Sequence, residues 1–373
     1  MMRNALRLGN IAGIEIRLDY SWFIVFALVI WSLGGHYFPM RYPGWPETTY
    51  WALGFVTALL FFASVLVHEL SHSFVARAYD TPVRSITLFI FGGAAEISEE
   101  PKRAREEFAM ALAGPAASLG MAFLFLLLRL AARGTSPPLA ALATWLSGIN
   151  LMLAIFNLTP GFPLDGGRVL RSIVWGITGS LRKATQVATG VGRLVAFLFI
   201  FWGIWMIFGG NWVNGLWMAF IGWFLENAAT VSYRQVALRD LLEGHTASEV
   251  MMTDCPRVSP DVSVDELVHD YILHTSRRCF PVVDGGRVQG IVTLHHVKEV
   301  PRDRRTSTTV GEAMTPFDRL KKVRPDDGLF DVLQRMTAED VNQLPVVDEE
   351  QFLGMVARDN VLAFIQARTE LGV

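Results

Sequence analysis

His68-Glu69-Leu70-Ser71-His72 sets two imidazoles four residues apart with a carboxylate beside the first. On a helix, residues four apart share a face, so both rings can reach one zinc ion while Glu69 stands next to the water it would activate. The motif lies inside an apolar stretch from Trp51 to about Ala76, where a membrane-spanning helix is expected. An ionised Glu at such a helix centre costs roughly 2.5–3.5 kcal/mol on insertion scales, so it faces a bundle interior or a wet cavity. A polar cluster bonding neighbouring helices is the simpler alternative. Zinc is the stronger one, because structural sites in peptides gain about 10–16 kcal/mol from the metal.

A catalytic zinc typically takes three protein ligands and keeps one position open. Asp165 is the best third candidate. It ends the segment Asn157-Leu158-Thr159-Pro160-Gly161-Phe162-Pro163-Leu164-Asp165-Gly166-Gly167, which follows the apolar run Leu139 to Leu158. Its prolines and glycines break the helix and allow close backbone approach, which can bring a carboxylate beside a metal held elsewhere. An ordinary helix-ending turn with a solvated Asp is the alternative.

These residues resemble the site-2 protease family of intramembrane zinc metalloproteases. His68 to His72 looks like the family's His-Glu-x-x-His, and Asn157 through Gly166 like its Asn-x-x-Pro-x-x-Pro-x-Asp-Gly segment, within a match over most of residues 15–230. The resemblance implies His68, His72 and Asp165 as ligands of one Zn²⁺, Glu69 as general base, and Asn157 as a residue that positions substrate or stabilises the oxyanion. Ala113-Gly114-Pro115 is similar to a Gly-Pro signature on the family's next helix, with Ser118 where an Asn is common.

Hydrophobic residues make up 51% of the chain and charged residues 18%, with the apolar share concentrated before Tyr233. Runs long enough to span a bilayer read as six: roughly Tyr20–Leu33 with extensions, Trp51–Ala76, Phe108–Leu130, Leu139–Leu158, Leu194–Phe208 and Trp212–Ala229. Arg3, Arg7 and Arg17, then Arg77 to Arg105, then Arg168 to Lys183 fall in loops on one side, so both termini are expected in the cytoplasm, and the plasma (inner) membrane as the location. That topology brings the end of span two and the end of span four to one depth, where His68, His72 and Asp165 can meet. The N-terminus does not read as a cleavable signal peptide, since Glu15, Arg17 and Asp19 precede the first apolar run. Cys255 and Cys279 fall in the polar C-terminal part, which suits a reducing cytosol, and no disulfide between them is expected.

Between spans two and three, Val83 to Ile97 is β-branched, aromatic and broken by Gly92-Gly93, which argues for a strand or hairpin. We expect it to dip into the active-site cleft, with Ile86, Leu88, Gly92 and Gly93 presenting an edge to an extended substrate. A surface hairpin is the alternative.

From Tyr233 the chain changes character and repeats itself. Val250-Met251-Met252-Thr253 returns as Ala313-Met314-Thr315, Phe280-Pro281-Val282-Val283-Asp284 as Leu344-Pro345-Val346-Val347-Asp348, and Gly290-Ile291-Val292 as Gly354-Met355-Val356. This resembles a tandem pair of CBS domains over about Thr246–Ala367, α/β modules that commonly bind adenine nucleotides and often associate, so a homodimer is an expected partner. The Asp that usually holds the ribose, three residues after a Thr or Ser, is replaced by His296 after Thr293 and by Asn360 after Ala357. A nucleotide sensor and a dimerisation or linker module both stay open.

Up to Ser232 there are 16 basic and 12 acidic residues, and beyond it 17 and 23. No concentrated basic face points to nucleic acid. The expected architecture is thus a polytopic α-helical membrane protein of about six spans with a membrane-dipping hairpin, plus an α/β CBS pair. Its parts are a transmembrane domain over 1–231, a linker over 232–245, and repeats over 246–300 and 301–370. The expected activity is zinc-dependent hydrolysis of peptide bonds in or near transmembrane segments of membrane-protein substrates. A membrane zinc peptidase acting on soluble peptides and a CBS-regulated metal transporter or sensor are the alternatives.

Overall fold

The computed structural model describes residues 5–90, 92–97, 101–275, 279–285, 287–349 and 351–371. The chain divides into two compact units, Met1–Val236 and Ala237–Val373.

The first unit begins with two strands ahead of the first apolar run. Strands β1 (Ala5–Ile11) and β2 (Ile14–Asp19) form an antiparallel hairpin turned by Ala12 and Gly13, both at positive φ (51° and 83°), as a two-residue primed turn requires. Along β2 the side chains alternate, so Ile14, Ile16 and Leu18 are buried and the residues between them are not. Asp19 then caps helix α1 (Tyr20–Arg41), accepting from the Ser21 amide at 2.9 Å. Near Gly34, α1 crosses α2 (Glu47–Ala78) so closely that a Cβ on Gly54 would lie 2.9 Å from the Gly34 nitrogen.

After α2 the chain returns as β3 (Val83–Phe89) and β4 (Gly92–Ile97). The expected hairpin is present, although Phe91 at its turn lies outside the described residues. The order is β1-β2-β3-β4, with β3 parallel to β2 and antiparallel to β4. Consequently β3 is interior. Ile86 pairs with Ile16 on one side and Ala95 on the other, Leu88 with Leu18 and Gly93, and both side chains are buried (0% and 3% exposed). Neither can offer an open edge, because its backbone is already paired on both sides. Among the described residues the edges of this sheet are β1 and β4, and β4 is the edge reached from β3.

Five further helices follow, α3 (Ala104–Ala132), α4 (Pro137–Asn157), α5 (Asp165–Thr178), α6 (Leu181–Phe208) and α7 (Trp212–Leu242), the last of which belongs to the first unit as far as Val236. All six apolar runs are therefore helical. Five helices among the described residues, α1, α2, α3, α4 and α6, are long and apolar enough to cross a membrane. The apolar run of α7 is diluted by Asn214, Glu226 and Asn227. Large apolar side chains such as Phe201, Trp205 and Phe208 are exposed on α6, a surface that a bilayer solvates and water does not. The core under the sheet joins Ile14, Ile16, Ile86 and Leu88 to Phe62, Val65 and Leu70 of α2, locking the sheet to the helix that carries the His motif.

In the second unit the repeat is visible as structure. Hairpin β5 (Cys279–Asp284) and β6 (Arg287–Thr293), followed by helix α8 (Leu294–Glu299), corresponds to hairpin β7 (Gln343–Asp348) and β8 (Gln351–Ala357), followed by α10 (Arg358–Leu371), with α9 (Leu329–Ala338) before the second hairpin. Both hairpins carry a bulge at the same place, Val282/Val283 and Val346/Val347. Each Met-Thr segment pairs with the glycine strand of the other repeat: Met252 bridges Met355, and Thr315 bridges Ile291. Gly290 and Gly354 allow this, since a Cβ on either would collide with the Thr315 or Met252 carbonyl. The stretch expected as a linker is helical as far as Leu242, because Leu238 and Leu242 pack with Val323, Leu329 and Val332.

Candidate metal centre

His68 and His72 lie one turn apart on α2 and are buried, 5% and 6% exposed. Asp165 opens α5, where the helix dipole favours a carboxylate. The three meet: each His Nε2 is 3.2 Å from Asp165 Oδ2, and the two Nε2 atoms are 3.2 Å apart. Among the described residues this is the group of His, Cys, Asp and Glu side chains disposed to hold a metal ion.

Their other nitrogens decide what the triangle can bind. His72 Nδ1 lies 2.6 Å from the Met110 carbonyl, which only accepts, so Nδ1 carries the hydrogen and Nε2 of the neutral ring is a lone pair. His68 Nδ1 lies 2.8 Å from the Ser118 hydroxyl. When His68 Nδ1 likewise gives its hydrogen to Ser118, both Nε2 lone pairs and the carboxylate converge on one point, an arrangement that a cation between them stabilises. Bonds of about 2.0–2.1 Å to a tetrahedral zinc separate neighbouring ligands by about 3.3 Å, close to the observed triangle, and the N₂O donor set suits that ion. The residues present therefore fit zinc.

Several local features make room for this. Gly114 of α3 sits against both imidazoles, and a Cβ there would overlap His72 Nε2 and lie 2.6 Å from His68 Nε2. The Asp165 segment is drawn in by its glycines: a Cβ on Gly161 or Gly167 would run into the backbone of Gly192 or Gly161. Behind it, Glu107 of α3 is fully buried and bonded to Arg171 of α5 at 2.6 Å, with Arg168 3.9 Å away. This ion pair ties α5 to α3, the helix that also supplies Met110, Gly114 and Ser118.

The triangle opens on a cavity of about 460 Å³ whose walls include Glu69, Asn157, Arg168 and the β4 residues Gly92 and Gly93. A Cβ on Gly93 would overlap Glu69 Cγ, so the free-edged strand lies directly on the candidate base. Asn157 donates one amide hydrogen to the Leu153 carbonyl at 3.0 Å and faces the same cavity. Motif reading brought out His68, Glu69, His72, Asp165 and Asn157. It did not bring out Met110, Glu107 or Arg171, for which spacing carries no signal. Ser118 stands out in the sequence only as a departure from the Asn common in the family.

In the second unit, His296 occupies the position of one expected ribose carboxylate. Its Nδ1 accepts from the Thr293 amide at 3.1 Å and its Nε2 lies 3.0 Å from Thr315 Oγ1.

A His₂-carboxylate triangle beside a glutamate, inside a bundle of membrane-long helices, defines an integral-membrane zinc metalloprotease. The profile of peptidase family M50 matches residues 56–140 and 130–201, and that of the CBS domain matches 247–303 and 310–367. A Mycobacterium tuberculosis protein named as zinc metalloprotease Rip3 is 34% identical over 98% of this chain and 93% of its own length. A Synechocystis protein, named as a zinc metalloprotease, is 35% identical over 98% of this chain and 96% of its own. The solved site-2 protease from Methanocaldococcus jannaschii is 30% identical and covers 61% of this chain and 95% of its own, with a TM-score of 0.43. The chain belongs to peptidase family M50, the site-2 proteases, and carries a tandem CBS pair.

Proposed function

We propose that this metalloprotease cleaves transmembrane segments of other membrane proteins near their cytoplasmic ends. The observation that carries the reading is one cavity that holds the His68–His72–Asp165 triangle, Glu69 and the free-edged strand β4 together among membrane-long helices. A substrate helix hides its scissile carbonyl in its own hydrogen bonds. Unwound, it can add to β4 as a further strand, which presents an extended backbone to Glu69 and positions Gly92 and Gly93 beneath it. Ile86 and Leu88 serve from behind, fixing β4 in place rather than touching substrate.

In this reading His68, His72 and Asp165 hold Zn²⁺, which when bound polarises the carbonyl and lowers the pKa of water. Glu69 takes the proton of the attacking water and passes it to the leaving amine. Asn157 keeps its second N–H for the oxyanion, a contact typically worth about 10²–10³ in rate. Ser118 and Met110 hold the two imidazoles to their orientation. Loop arginines and lysines support cytoplasmic termini in the plasma membrane, which would put the CBS pair in the cytosol as a regulatory and dimer-forming unit. An adenine nucleotide there would find His296 and Asn360 in place of the two ribose carboxylates.

The test compares a membrane-embedded substrate with a soluble peptide of its cleavage sequence, using the purified full chain in lipid. The proposal expects cleavage of the former and little of the latter. Equal or better turnover of the soluble peptide would mean a membrane peptidase of soluble substrates.

A further inference from the structure

The chain has two cysteines, Cys255 and Cys279, and both line one small cavity of about 20 Å³ with Met252, Pro256 and Met355. Cys279 begins β5 and is buried, whereas Cys255 is half-buried. Backbone register explains why they meet. Val258 and Val282 form a parallel bridge, with the Val258 amide donating to the Pro281 carbonyl at 3.0 Å and the Val283 amide to the Val258 carbonyl at 2.9 Å. Each cysteine lies three residues before its valine. On β5 the odd offset puts Cys279 on the face opposite Val282. Val258 and Val282 accordingly enter one cluster with Phe280 and Val292, while Cys279 enters another with Ile291 and Met355, against which Cys255 packs. At the Val258–Val282 bridge the two segments run at the strand spacing of about 4.7–4.9 Å, inside the ~4.4–6.8 Å Cα separation that a disulfide spans.

The segment that carries Cys255 also joins the repeats, since the Met252 amide donates to the Met355 carbonyl at 2.8 Å and the Met355 amide to the Met252 carbonyl at 2.9 Å. We propose that Cys255 and Cys279 are a reversible dithiol–disulfide pair, oxidised by a low-molecular-weight disulfide, which fastens this inter-repeat segment to β5.

With oxidised glutathione as oxidant, the more accessible Cys255 attacks first as thiolate, breaking the glutathione S–S bond and releasing one glutathione thiolate. Cys279 then attacks Cys255 Sγ in the mixed disulfide, its proton leaves with the second glutathione, and two protein thiols have lost two electrons to one small disulfide. Burial pushes the Cys279 thiol up from its ordinary range and the neighbouring Cys255 adds to the push, which makes Cys279 the second rather than the first nucleophile.

The full chain in detergent is equilibrated in buffers of rising oxidised-to-reduced glutathione ratio, unfolded with a thiol mass tag and weighed intact. Tags fall from two to none in one step with no glutathione retained; Cys279→Ser keeps one glutathione, and Cys255→Ser keeps its single tag. The native chain decides the matter without either variant. Two tags at the oxidising end, a stable single glutathione adduct, or a cross-linked dimer would each overturn the proposal.

Discussion

At the scale of single residues, the orientation of each imidazole matters as much as its presence. Met110 offers a carbonyl and Ser118 a hydroxyl, and these two contacts aim both Nε2 atoms at Asp165. Partners of this kind, when removed, typically cost about 10–100-fold in metal affinity. Ser118→Ala is expected to weaken zinc binding by that order while the chain still folds, as measured by competition with a chelator; unchanged affinity would show that His68 needs no second contact. The three residues that meet in the triangle were legible because a four-residue spacing on a helix and a proline-glycine break are local patterns. Their supports were not, because Ser118 and Met110 reach His68 and His72 across 50 and 38 residues of chain, and only helix packing determines that meeting.

Among the elements, β4 is the one whose position is chemically consequential. It rests on β3, which rests on β2, and the buried faces of those two strands are pinned to α2 through Ile16, Ile86 and Phe62. Two variants separate its role from that of the sheet beneath. Gly93→Ala puts a methyl against Glu69 Cγ and is expected to lower cleavage at least about tenfold, near 1.4 kcal/mol of barrier, with zinc content retained. Ile86→Ala empties a fully buried site and is expected to cost about 2–5 kcal/mol of stability, read as a lower unfolding temperature. Wild-type cleavage by Gly93→Ala would separate β4 from catalysis. The hairpin was readable from Val83 to Ile97 through its β-branched residues and glycines, but which strand was the edge was not. That depended on β2, whose alternation over Ile14, Ile16 and Leu18 was present in the sequence but only a few residues long.

For the molecule as a whole, two units of different chemistry share one chain. The first exposes apolar side chains and buries the Glu107–Arg171 ion pair; the second repeats a small α/β module with acidic excess. The repeat was legible through its echoed Met-Thr, Pro-Val-Val-Asp and glycine motifs, whereas the exchange of Met-Thr segments between repeats was not, being a matter of long-range pairing. The second unit should also respond to acid. Burial holds the His296 imidazole below its ordinary value of 6.5, so the fold favours the neutral ring. Its stabilising contribution is whole above about pH 6.5 and is lost as pH falls from there through the lower folded value, where the unfolded chain takes up the proton first. The unfolding midpoint of this unit is expected to drop across that interval, and His296→Gln to flatten the drop; an equal drop in the variant would assign it to other groups.

In the proposed reaction Glu69 acts on water beside a metal held by His68, His72 and Asp165. Its most direct test measures zinc per chain and cleavage of a co-expressed membrane substrate for Glu69→Gln. Zinc at one equivalent with cleavage abolished is the predicted result. Retained cleavage, with the carboxylate gone, would contradict it.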